Sequence, residues 1–120
     1  MNIEELREYC MAKEGVTEEF PFDNETLVFK VMDKIFLLTS LTFRPFRVNL
    51  KMDSELVGQY RDKYSDVQPG YHMNKKHWNT VYFDNNTIPK KDLLWMVDHS
   101  YNEVIKKLPK RAQQQLKQAL

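Results

Sequence analysis

The sequence predicts one α+β domain over residues 1–120, and three observations carry that reading. Apolar residues recur at helical spacing near both ends of the chain, and at a spacing of two from Leu27 to Leu50 and again around Val81. A length of 120 residues suits one hydrophobic core, because two independent cores would each be marginal in size. Aromatic residues make up 12% of the chain, too many for a disordered segment.

The elements follow in order. Asn2 is placed to cap a first helix, with Glu5 at capping-box spacing, Ile3, Leu6 and Cys10 on one face, and Gly15 as the stop. Residues 18–26 read as a loop, since Pro21 excludes a continued helix. Leu27, Phe29 and Val31 alternate with Val28 and Lys30, and a second strand pattern runs from Lys34 to Ser40. The short Met32-Asp33 link predicts a hairpin of open turn type, because neither residue is Gly. In the third run, Phe46, Val48 and Leu50 point one way, and Arg47, Asn49 and Lys51 the other. Asp53 or Ser54 caps a short second helix bearing Leu56, Tyr60 and Tyr64, and residues 65–70 form a turn cluster. A strand follows over 79–83. Pro89 fits the first turn of a long helix with core face Leu93, Val97, Tyr101, Val104 and Leu108, and residues 112–120 add a helical turn or fray.

Composition narrows the function. No apolar run approaches the ~20 residues of a membrane helix. The beginning of the chain lacks the basic and apolar regions of a signal peptide, so the expected home is the cytoplasm. A lone Cys10 excludes an intramolecular disulfide and a multi-thiolate zinc site. The formal charge of +1 conceals an asymmetry. Residues 1–26 carry eight acidic against two basic side chains, a net −6, and the remainder carries 16 basic against nine acidic, a net +7.

Catalysis by a familiar motif is not expected. No serine sits in a G-x-S-x-G elbow, and Gly15, Gly58 and Gly70 are too scattered for a phosphate-cradling loop. His72 and His77 lie five apart without an adjacent thiolate or carboxylate, and His99 is remote, so neither metal nor cofactor is expected. The basic residues are better organised. Arg47, Asn49 and Lys51 share one strand face, which Lys30 joins from a neighbouring strand, and Lys75 and Lys76 stand beside His77 and Trp78. Cations that neutralise phosphates, amides that read bases and aromatics that stack on them suit nucleic acid.

Several segments together resemble the MmcQ/YjbR-like family. They are Phe29-Lys30-Val31 with Lys34-Ile35-Phe36, Val48-Asn49-Leu50-Lys51, the block from Pro69-Gly70-Tyr71-His72-Met73-Asn74 through Trp78-Asn79-Thr80-Val81, and Ser100-Tyr101 before Lys107-Leu108-Pro109. The order and spacing match from about Pro21 to Pro109, and the Pro69–Val81 block is the specific part. A departure is the Met32-Asp33 turn, where the family often has Gly.

The resemblance implies an antiparallel sheet packed against helices on one face, with N- and C-terminal helices flanking, a frataxin-like or double-wing-like fold whose DNA-binding label rests on structural likeness. It implies that Asn49, Lys51, Tyr71, His72, Asn74, Lys75, His77, Trp78 and Asn79 occupy the characteristic polar and aromatic positions. The resulting expectation is a non-catalytic protein, one copy or two, that docks strands onto double-stranded DNA. Lys30, Arg47, Lys51, Lys75 and Lys76 would contact phosphates, and Asn49, His77 and Asn79 bases or sugars, with Phe43 and Trp78 as wedges and Tyr71 part of the same surface. Two alternatives stand beside it: a frataxin-like module using Glu4, Glu5 and Glu8 of the acidic first helix for a metal or protein partner, and a small-ligand pocket around Tyr71, His72, His77 and Trp78.

Overall fold

A computed structural model of the chain describes residues 1–71 and 73–118; His72 lies outside them. The elements are α1 (Ile3–Met11), β1 (Val16–Glu19), β2 (Thr26–Val31), β3 (Lys34–Ser40), β4 (Arg47–Lys51), α2 (Ser54–Lys63), β5 (Val67–Pro69), β6 (Trp78–Tyr82), α3 (Lys90–Lys106) and α4 (Lys110–Gln118). The strands form one six-stranded sheet, ordered β1-β2-β3-β4-β6-β5, in which every neighbouring pair is antiparallel. The α+β class read from the sequence is the observed one. No helix among the described residues is long and apolar enough to cross a membrane.

Helix α1 begins where Asn2 accepts the Glu5 amide at 2.8 Å. Gly15 then turns the chain at φ 72°, a left-handed conformation disfavoured for residues with a Cβ, and an added Cβ would meet Leu116 of α4 at 2.6 Å. The β2–β3 hairpin closes through Met32 and Asp33, both at positive φ (49° and 65°), as a type I′ turn requires. Asp53 caps α2 by accepting the Glu55 amide at 2.9 Å. Pro89 stands one residue before α3 rather than in its first turn.

Residues 16–19 form an edge strand, where the sequence reading placed the start of a loop at Glu18. Val-Thr-Glu-Glu lacks an apolar alternation, and its pairing with β2 is helped by Glu18 bridging to Arg7 of α1 at 2.5 Å and Glu19 to Lys30 at 2.7 Å. The sequence likewise predicts a turn where β5 lies; the strand is only three residues long and ends in Pro69. The chain breaks after α3 at Leu108-Pro109, and α4 then returns to bury Leu116.

Register divides the sheet into two faces. Leu27, Phe29, Leu37, Val48, Leu50, Val81 and Val67 project to one side, where they join Leu6 and Cys10 of α1, Val57 of α2 and Leu93, Met96, Val97 and Val104 of α3 in one buried cluster. Burial pushes the Cys10 thiol up to about 12, so it packs as a small apolar group. Ser100 of α3 joins helix to sheet: its hydroxyl donates to the Phe36 carbonyl and accepts the Lys51 amide at 2.9 Å, filling the gap where β3 and β4 stop pairing. Tyr101 packs edge-on against Phe36 and donates to the Glu14 carbonyl at 2.6 Å. The Ser-Tyr pair is therefore a fastener of α3 rather than part of a surface.

Candidate nucleic-acid interface

The second face of the sheet carries Val28 and Leu38, Arg47, Asn49 and Lys51 of β4, and Trp78, Thr80 and Tyr82 of β6. No helix covers it. Two loops and the β3–β4 link do so in part, and between them lies a cleft of about 380 Å³. Its floor includes Thr26, Leu38 and Asn49, its rim Phe22, Tyr71 and Met73, and Arg47 reaches into it.

Each rim element is held by its own local chemistry. Asp23 accepts the amides of Glu25 (2.9 Å) and Thr26 (2.7 Å), which fixes the turn bearing Phe22 and holds that carboxyl below the usual aspartate value. The Ser40 hydroxyl accepts the Phe43 amide at 3.1 Å, and Arg44 braces the same link by donating to the carbonyls of Phe43 (2.8 Å) and Leu41 (3.2 Å). On the other side, Gly70 lies so close to Trp78 that a Cβ would stand 2.9 Å from both its Cβ and its carbonyl oxygen, so only glycine lets the loop fold flat there. The Tyr71 amide donates to the Thr80 hydroxyl at 3.0 Å, which donates to Asn49 Oδ1 at 2.5 Å.

Arg47 is the centre of this arrangement. Its guanidinium carbon lies 3.6 Å from the Phe43 ring centroid and 4.7 Å from that of Tyr71. Aromatic contact occupies the faces of a guanidinium and leaves its in-plane N–H donors for an oxyanion, which a carboxylate or phosphate meets two at a time. Arg47 has no ion pair among the described residues, and the cleft is lined by no carboxylate.

The structure gathers some of the sequence-predicted residues and separates others. Arg47, Asn49 and Tyr71 meet at the cleft. Lys51 stands about 13 Å further along β4, at ~3.3 Å per residue, near Lys107, and burial followed by Lys107 lowers its pKa. His77 lies at this same end; burial first, then Lys107, Lys51 and Lys76, opposed by Glu103, pull it below the ordinary histidine value, and its Nδ1 is buried without a partner among the described residues. Lys76 is exposed, and Lys75 donates to the Gly70 carbonyl at 3.2 Å. Lys30 shares the open face but is paired with Glu19.

Two residues leave the surface altogether. Trp78 is 9% exposed beneath the Gly70 turn, and Asn79 is fully buried on the helix-covered face, where it accepts from Arg61 at 2.6 Å and donates to the Val57 carbonyl at 3.1 Å. Neither has surface to offer a base. Asn74 uses its Oδ1 to accept the Lys76 amide. Phe22, Thr26 and Met73 were not singled out from the sequence; an aromatic in the polar loop around Pro21 was the available signal.

In the acidic helix, Glu5 pairs with Lys90 at 2.7 Å and Arg7 with Glu18, and the described residues contain no group of three or more His, Cys, Asp or Glu side chains placed to hold a metal.

His99 adds a pH dependence away from the cleft. Its Nε2 accepts the Asp53 amide at 3.1 Å, its ring stacks on Trp95 at 4.8 Å, and Glu103 and Lys106 flank it. Burial, opposed by Glu103 and Asp53, keeps it below the usual histidine value. The unfolded chain therefore takes up a proton first as pH falls, so stability is full above about pH 6.5 and declines below it. Urea midpoints at pH 7.5 and 5.5 are expected to show that decline, and His99→Gln, which does not titrate, to reduce it, His77 supplying a further part.

The family model described as YjbR matches residues 11–103. The chain belongs to the YjbR family. It is 36% identical over 118 residues to the Escherichia coli K12 protein YjbR, itself called uncharacterized, covering 98% of this chain and 99% of that one. It is 40% identical over 99 residues to YbdF of Escherichia coli O157:H7, covering 82% and 80%. A crystal structure of the Deinococcus radiodurans protein DR2400, with a domain called DUF419, superposes with a TM-score of 0.89 at 40% identity, over 96% of this chain and 87% of that one. A Pseudomonas syringae protein superposes with a TM-score of 0.70 at 27% identity, over 83% and 96%. The YjbR family thus supplies the fold, while the cleft residues must speak for function themselves.

Proposed function

We propose that this YjbR-family chain binds DNA through the open face of its sheet and performs no chemistry on it. The observation that carries the proposal is Arg47, a guanidinium oriented by two aromatic rings in a cleft that no carboxylate lines among the described residues, where its N–H donors suit a phosphate. The Lys51, Lys76 and Lys107 ammonium groups supply further positive charge at the far end of the same strand, around His77. Mutual repulsion among these groups is relieved by an incoming polyanion, which adds to the attraction.

The test is fluorescence anisotropy of labelled DNA across a salt series. Binding at low salt whose logarithm falls linearly with that of the salt concentration supports the proposal, with a slope of about −0.7 to −0.9 per neutralised phosphate. Absence of binding at low salt rejects it.

A further inference from the structure

We infer that the nucleic acid this face takes is single-stranded, with an unpaired base seated in the cleft against Phe22 and an adjacent phosphate on Arg47. The inference rests on the DNA-binding proposal and goes beyond it in naming the substrate form.

Shape is the first reason. A reader of duplex DNA inserts a convex helix or ribbon into a groove about 12 Å wide. Here the strands lie at the floor of a depression whose rim is formed by Phe22 and Tyr71, so β4 is recessed from any groove. The cleft volume of about 380 Å³ falls within the range of about 300–1,000 Å³ that holds small molecules. That is the scale of one nucleoside.

The lining is the second reason. Phe22 is 66% exposed and Phe43 40%, an arrangement of apolar rings beside a cation that offers stacking to a splayed base. A paired and stacked base presents no face to such rings. On the floor, Asn49 Oδ1 is occupied by Thr80, so the Asn49 amide N–H groups, which have no partner among the described residues, are the donors left for base-edge acceptors. Lys51 at the far end of β4 and Lys107 at the end of α3 beside it are then placed for the backbone of the same nucleic-acid strand further on.

The experiment compares three probes at one low salt concentration: a labelled oligothymidine of about 12 nucleotides, a hairpin duplex with the same number of phosphates, and thymidine monophosphate. Binding is measured for the natural chain and for Phe22→Ala. Phe22 is largely exposed, so this variant should keep the fold, which circular dichroism checks. The expected result is oligothymidine binding at least about tenfold tighter than the duplex, with Phe22→Ala weakening only the single strand, by about tenfold. Duplex binding that equals or exceeds single-strand binding overturns this inference and leaves the DNA proposal standing, as does an unaltered affinity in Phe22→Ala. Monophosphate binding as tight as the oligomer assigns the cleft to a free nucleotide and overturns it too. If neither polymer binds, both proposals fall.

Discussion

Replacing Arg47 with lysine is expected to weaken DNA binding about tenfold although the charge is kept, and Arg47→Ala to weaken it about a hundredfold. Lysine is a flexible point charge; it neither fills the space between Phe43 and Tyr71 as a flat group nor presents two parallel donors. The alanine variant loses the charge as well, so its salt slope should fall by about one phosphate equivalent, whereas that of the lysine variant should not. Arg47 makes no ion pair among the described residues, so the lysine variant should unfold close to the natural urea midpoint, while the alanine variant, which loses the contacts with Phe43 and Tyr71, should lose about 1 kcal/mol. Equal affinity for all three proteins would remove Arg47 from the site.

Asn79→Ala is expected to cost about 3 kcal/mol of stability, read as a lower urea midpoint at unchanged slope. Asn79 is fully buried and uses both ends of its amide: Oδ1 takes the Arg61 Nε–H, while Nδ2 donates to the Val57 carbonyl and lies 3.3 Å from Met52 Sδ. Truncation strands the Val57 carbonyl, deprives Arg61 of an acceptor and opens a void between α2 and β6. Arg61 also donates to the carbonyls of Lys75 (2.5 Å) and Trp78 (3.2 Å), so the same network ties down the loop that carries Tyr71 and Met73. The costs of Asn79→Ala and Arg61→Ala should therefore not add in the double variant. A cost below about 1 kcal/mol would show that the network is dispensable.

Asn79 also shows how far the sequence could be read. In the alternation of Asn79, Val81 and Phe83 against Trp78, Thr80 and Tyr82, both face-mates of Asn79 are apolar, which is a signal for the inward side. A polar residue between Trp78 and Thr80 nevertheless looked like a surface contact. Only the position of Arg61, 18 residues earlier on a helix, shows what satisfies it in the core. Trp78 is a similar case: its burial depends on Gly70 lying flat against it, a contact between residues eight apart across a loop with no period.

The strands β2, β3 and β4, the helices α1, α2 and α3, the Asn2 and Asp53 caps and the hairpin at Met32-Asp33 were legible from local signals: apolar spacing of two or about four, and capping chemistry that acts within three residues. The edge strands β1 and β5 were not. Their pairing is decided by partners elsewhere in the chain, and their own residues carry no alternation. The polar face of β4 was legible for the same local reason as the strand itself, so Arg47, Asn49 and Lys51 were correctly placed side by side.

What the sequence by itself determined was which residues of each strand face together, since side-chain alternation is a property of the local backbone. Tertiary structure alone decided that one end of that polar face is a cleft and the other a cluster of positive charge. The rim of the cleft comes from Phe22, Tyr71 and Met73, and Phe43 stacks on Arg47 beside it; a hairpin, a loop and a link bring them to β4, and contacts across such separations are set by the packing of the whole sheet, on which no local pattern reports.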